Sequence, residues 1–198
     1  MKRRFLVGAG LAIGVAVVAG GEYLVISREE TPVPVAGSVG GAFTLERDDG
    51  TAFTEKNLLG KPALIYFGYT FCPDVCPTTL AHIGAWLKAL GPQAADIRAV
   101  FVTIDPARDT GAQMRQYLAA FDPRIIGLTG TPAEIATIAK AYKVYYRKVP
   151  GKDGNYAMEH SSYIYLMNAK GALAGLIGED EPQAQALAAI RTVLKQNA

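Results

Sequence analysis

The stretch Phe67–Leu80, reading FGYTFCPDVCPTTL, restricts this chain more than any other part of it. It holds the only two cysteines, Cys72 and Cys76, and each is followed directly by proline. Before it runs Ala63-Leu64-Ile65-Tyr66-Phe67, an apolar segment short enough for a buried strand. After it, Leu80, Ile83, Trp86, Leu87 and Leu90 recur at helical spacing. The cysteines are therefore expected in a loop between a strand and the N-terminus of a helix. Proline disfavours helical backbone in the residue before it, so neither cysteine should itself be helical. Pro77 suits the first helical position, which makes Cys76 the cap residue or its neighbour. A thiol there feels the positive end of the helix dipole, and its pKa should fall. Two inert buried thiols are the competing reading, and this placement disfavours it.

The folded part is expected from about residue 41. Asp48-Asp49-Gly50 between Ala42–Leu45 and Thr51–Phe53 signals a hairpin. Ile97–Ile104 reads as a second buried strand ending at Asp105-Pro106. Arg108-Asp109-Thr110 caps a helix running to about Ala120, and Ile125–Leu128 reads as a short strand. Thr131, Pro132 and Glu134 open another helix in a capping-box arrangement. Val144–Lys148, Tyr163–Met167 and Leu173–Ile177 read as strands, and Glu181–Lys195 as a closing amphipathic helix. Strand–helix alternation followed by a late hairpin and a helix predicts an α/β sheet covered on both faces.

The N-terminus has a different character. Met1–Arg4 is basic, Phe5–Gly21 is apolar and small, and Tyr23–Ile26 resumes after Glu22. A secretory signal shares this layout, with Ala19-Gly20-Gly21 as a cleavage site. The span from Phe5 to Ile26 matches the ~20 residues a bilayer needs, which favours an uncleaved anchor. Either way the basic end stays inside and the rest lies outside the cytoplasm. With no Arg/Ser-rich transit peptide ahead of the span, a bacterial inner membrane with a periplasmic domain is expected. We divide the chain into an anchor or signal over 1–28, a linker over 29–40 rich in Pro, Gly and Ser, and a domain over 41–198. The 20 basic and 18 acidic residues nearly balance, so nothing points to nucleic acid.

Three residues separate the cysteines, and outside the cytoplasm such a pair can form a disulfide, exchange thiols or bind metal. So short a bridge would be labile rather than structural, because it constrains little of the unfolded chain. A metal needs further ligands, and the chain has two histidines. His82 lies within the predicted helix and reads as a surface or packing residue. His160, in a loop before a strand, could face the cysteine loop where strand ends converge. Two thiolates and one imidazole leave a zinc site short of its usual four ligands. Soft, low-coordinate donors favour Cu(I), and the imidazole also tolerates Cu(II). Met158 is a weak fourth candidate, better explained by packing.

The loop Cys72-Pro73-Asp74-Val75-Cys76-Pro77 after Phe67-Gly68-Tyr69-Thr70 resembles the copper-binding motif of the Sco/SenC family, copper-binding assembly factors for cytochrome c oxidase. The resemblance continues in Thr103-Ile104-Asp105-Pro106 with Arg108-Asp109-Thr110, in Gly127-Leu128-Thr129-Gly130, and in His160-Ser161 leading into Tyr163–Leu166. It implies a thioredoxin-like, peroxiredoxin-related mixed sheet flanked by helices, with copper held by Cys72, Cys76 and His160. It also implies a redox-active Cys72–Cys76 pair, the copper-bearing subunit of the oxidase as partner, and another copper chaperone as donor. Glu159 departs from the family's usual Asp before the histidine, which touches only the surroundings of the ligand. Asp105 and Arg108 match family positions, but turn and cap roles suffice for them.

Two functions compete. One is a copper metallochaperone rather than an enzyme; the other is a thiol–disulfide reductase that keeps the oxidase's cysteines reduced. Thioredoxin-type reductants have a two-residue spacer and a proline before the facing strand, where this chain has three residues and Ser161-Ser162. That leans towards copper. A peroxidase ranks last, because the peroxiredoxin spacing Pro-x-x-x-Thr-x-x-Cys is absent.

Overall fold

In a computed structural model the protein is described over residues 39–196. The anchor expected over 1–28, and the linker up to residue 38, lie outside the described residues. Among those described, no helix is long and apolar enough to cross a membrane.

The centre is β3 (Ala63–Gly68), whose six residues are all buried. It pairs in parallel with β4 (Arg98–Thr103), which pairs in parallel with β5 (Ile125–Thr129). On one side β1 (Thr44–Arg47) joins β5 antiparallel and carries β2 (Ala52–Thr54) outside it. On the other side β8 (Ile164–Met167) runs antiparallel to β3, and β9 (Leu173–Ile177) closes the edge. The order across the seven strands is β2-β1-β5-β4-β3-β8-β9. Parallel neighbours need crossovers, and the helical segments between β3, β4 and β5 supply them.

Alternation along β3 sorts the two faces. Tyr66 stacks on Phe101, which meets Tyr117 of α2 (Gly111–Leu118). The same face receives α1 (Val75–Leu90), which packs against α4 (Gln183–Gln196). Phe67 points the other way, onto Tyr165 and onto Tyr142 at the end of α3 (Pro132–Ala141). Both faces are thus covered, as the alternation of elements predicts. Thr131 and Glu134 form the expected capping box at α3, and Thr110 accepts from the Gln113 amide at α2.

Two elements differ from expectation. Helix α1 begins at Val75 with Asp74 as cap, so Cys76 is helical and Pro77 is the third helical residue. The first N–H groups of a helix have no intrahelical acceptor, so proline loses no bond there. The second difference is an additional strand, β7 (Tyr156–His160), paired antiparallel with β6 (Tyr146–Pro150) as a separate two-stranded sheet. His160 ends this strand and does not sit in a loop.

Candidate metal centre

The cysteine loop leaves the end of β3 and is tied down at once. Asp109 is buried after β4 and accepts from the Thr70 amide at 3.0 Å and from the Thr70 hydroxyl at 2.6 Å. Thr103 at the end of β4 donates to the same carboxylate at 2.6 Å. Burial pushes the Asp109 carboxyl above its ordinary range, and these donors hold it back. A fixed Thr70 sets where the next turn can go.

Both cysteines are free thiols, Cys76 fully buried and Cys72 half-buried. The Cys76 amide, in the first turn of α1, lies 3.4 Å from Cys72 Sγ. The helix N-terminus therefore serves Cys72 and not Cys76. The Cys72 thiol is held well below the ordinary range, chiefly by a hydrogen bond from Cys76, with His160 and the Asp74 and Cys76 amides adding to it against the cost of burial. Cys76 is pushed up by the neighbouring Cys72 and by burial. The expectation that Cys76 would be the acidic thiol is corrected: Cys72, the more exposed of the two, is the thiol that is lowered, and Cys76 is raised.

Behind Cys76, the Tyr66 hydroxyl donates to its sulfur at 3.5 Å. Gly68 makes room for that sulfur: a Cβ there would stand 2.9 Å from Cys76 Sγ and 2.8 Å from the Phe101 ring. In front stands His160, its ring edge-on to Tyr66 and Tyr69. His160 Nδ1 lies 2.9 Å from the Ser161 carbonyl oxygen. A carbonyl only accepts, so Nδ1 carries a hydrogen and Nε2 is the ring nitrogen turned towards the cysteines. That nitrogen lies 3.6 Å from Cys76 Sγ. With bond lengths of about 2.3 Å to sulfur and about 2.0 Å to nitrogen, a tetrahedral ion holds its donors about 3.5 Å apart. One ion fits between them. Among the described residues no three His, Cys, Asp or Glu side chains already stand close enough together to form a metal group.

The sequence pattern of the SCO1/SenC family matches residues 33–195. The chain belongs to the SCO1/SenC family. It is 43% identical over 144 residues to the mitochondrial SCO1 homolog 1 of Arabidopsis thaliana, covering 72% of this chain and 43% of that one. Mitochondrial SCO1 of Saccharomyces cerevisiae is 44% identical over 146 residues, 72% of this chain and 50% of the other. This chain thus spans about half the length of these relatives or less. Among solved structures, copper-bound ScoI of Bradyrhizobium japonicum superposes with a TM-score of 0.75 at 46% identity, covering 79% of this chain and 99% of that one.

The remaining candidates of this SCO1/SenC protein fall into place around the pair. His82 is exposed on α1 and stacks on Trp86, with no part in the cysteine site. Met158 is half-buried and packs against the core. Glu159 points away from the site, to an ion pair with Arg147 across the hairpin, so the backbone of Ser161 orients His160 instead. Asp105 and Arg108 do more than shape a turn. Arg108 pairs with buried Asp105 and reaches the β7 strand through the Tyr156 carbonyl at 3.0 Å. The signal for β7 was present in its sequence: Tyr156, Met158 and His160 alternate with Ala157 and Glu159, the period of a strand with one inward face.

Proposed function

We propose that this chain is a copper metallochaperone that holds copper at Cys72, Cys76 and His160 and delivers it to the binuclear site in the copper-bearing subunit of cytochrome c oxidase. The observation that carries the reading is His160 Nε2 facing Cys76 Sγ at 3.6 Å while Nδ1 is engaged by the Ser161 carbonyl, beside a Cys72 thiol whose pKa is lowered. Soft sulfur with one imidazole suits Cu(I) and tolerates Cu(II). Copper bound in the solved Bradyrhizobium relative supports the reading. In this account the thioredoxin-like domain over 41–198 works on the periplasmic side of a bacterial inner membrane. The anchor over 1–28 and the linker over 29–40 hold it there, and another copper chaperone loads it.

One observation favours a second activity at the same residues. An accessible Cys72 thiolate beside a buried, protonated Cys76 is the arrangement of an attacking thiol and its resolving partner. As a reductase, Cys72 would attack a partner's disulfide and Cys76 would release it. Cys72 and Cys76 become the disulfide, while two electrons and the Cys76 proton pass to the partner's sulfurs, the second of which takes its proton from solvent.

The test mixes the Cu(I)-loaded chain with the copper-free oxidase subunit, prepared once with reduced and once with oxidised cysteines. Copper appearing in the reduced subunit, and lost with His160→Ala, is the expected result. Reduction of the oxidised subunit with no copper moved in either case would put the reductase first.

A further inference from the structure

The hairpin that carries His160 shares no ladder with the seven-stranded sheet. Beyond its short link into β8, side-chain contacts therefore help to decide where its imidazole stands. At the far end of β7 several of them converge on Arg108. Its Nη1 donates to the Tyr156 carbonyl at 3.0 Å, and its Cζ stands 3.7 Å from the centre of the Tyr156 ring. The Tyr156 hydroxyl donates to Asp105 Oδ1 at 2.9 Å, and Arg108 Nε pairs with the other oxygen of that carboxylate. Asp105 is itself rooted at the end of β4, where its amide donates to Thr103 Oγ1 at 2.9 Å. The guanidinium also faces Phe71 at 4.7 Å and Tyr69 at 5.7 Å, the residues that lead into Cys72.

Arg108 thus touches both halves of the site and none of the proposed ligands. We propose that Arg108, held by Asp105, is a positioning residue that latches the Tyr156 end of the hairpin to the cysteine loop and so sets the approach of His160 to Cys76. The effect on copper rests on the function proposed above; the latch itself does not. A strand transmits a displacement along its length, and β7 runs directly from Tyr156 to His160. The latch needs arginine because a planar fork can stack on rings while it donates in two directions, which an ammonium cannot do. Other contacts, among them the packing of Tyr146 and Met158 against the core, keep the hairpin in place when the latch is lost. Its loss should therefore loosen His160 without unfolding the domain.

The test uses the full chain with Arg108→Ala and the milder Tyr156→Phe, each alone and combined with His160→Ala. Cu(I) affinity is read by competition with a chromophoric Cu(I) chelator. Arg108→Ala should weaken binding by about 10- to 100-fold, the usual cost of losing a residue that orients a ligand, and Tyr156→Phe by less. In the His160→Ala background, Arg108→Ala should change affinity by less than about twofold, because it acts through the histidine. Equal losses with and without His160 would overturn the proposal. A second arm needs no copper: in the apo chain Arg108→Ala should speed amide exchange in residues 146–160 and leave β3 and β4 unchanged. Unaltered exchange in the hairpin would overturn the latch by itself. A wild-type chain that binds no Cu(I) would count against the copper reading, while the exchange arm still decides the latch.

Discussion

Cys76 Sγ and His160 Nε2 stand 3.6 Å apart, although 84 positions separate the two residues in the chain. The turn into α1 brings one and the end of β7 brings the other. The Ser161 carbonyl engages Nδ1 and so leaves Nε2 as the nitrogen that faces the sulfur. His160→Ala should weaken Cu(I) binding by at least about tenfold, and His82→Ala should leave it unchanged, in the same competition measurement. The reverse pattern would move the site to α1.

The opposite shifts of the two cysteines predict their reactivity. An ordinary thiol, with a pKa near ~8.5, alkylates about ten times more slowly for each unit that pH falls below that value. Cys72 is stabilised as thiolate by its donors, so its pKa is lowered and its alkylation by iodoacetamide should be nearly flat between pH 6 and 8 (~ tenfold per unit expected otherwise). Cys76 is pushed the other way and should stay unmodified. Cys76→Ala removes the main donor, so the Cys72 pKa should rise and the steep pH dependence return. Mass spectrometry of timed quenches reads all three.

Gly68→Ala tests the wall behind the site. The added methyl would sit 2.8 Å from the Phe101 ring and 2.9 Å from Cys76 Sγ, neither of them the free end of a flexible chain. Overpacking of this kind costs about 1–3 kcal/mol. The urea midpoint should fall with the slope unchanged, and Cu(I) affinity should fall with it because the sulfur is displaced. A variant with wild-type stability and affinity would show that the wall yields freely.

The strong local signals were the ones that could be read from the chain. The buried run of β3, the capping box at Thr131 and the helical spacing from Leu80 to Leu90 each encode their element within a few residues, and each is where expected. The start of α1 was misplaced because proline is cheap anywhere in a helix's first turn, so Pro77 could not fix the boundary alone. Arg108 and Asp109 were read as turn and cap because their partners Tyr156 and Thr70 are distant in sequence. The acidic thiol was assigned to the wrong cysteine for the same kind of reason. Which sulfur receives the Cys76 amide depends on the loop's path, and that path is set by Asp109.

In the proposed function copper and a Cys72–Cys76 disulfide would compete for the same sulfurs, which would link redox state to metal. If copper binds only the dithiol, it stabilises the reduced form and raises the midpoint potential. A ligand at ~1,000 times its dissociation constant contributes ~4 kcal/mol. At ~30 mV for each ~1.4 kcal/mol in a two-electron couple, the shift is roughly 90 mV upward. A glutathione-buffered titration read by thiol alkylation checks it. His160→Ala should leave the copper-free midpoint in place and shrink the shift.

The central claim is that Cys72, Cys76 and His160 together hold one copper ion. Anaerobic titration of the reduced chain with Cu(I), followed by X-ray absorption at the copper edge, tests it most directly. The account predicts saturation at one equivalent, a first shell of two sulfurs and one nitrogen, and loss of the nitrogen in His160→Ala. A first shell lacking sulfur, or a nitrogen that persists in His160→Ala and disappears in His82→Ala, would contradict it.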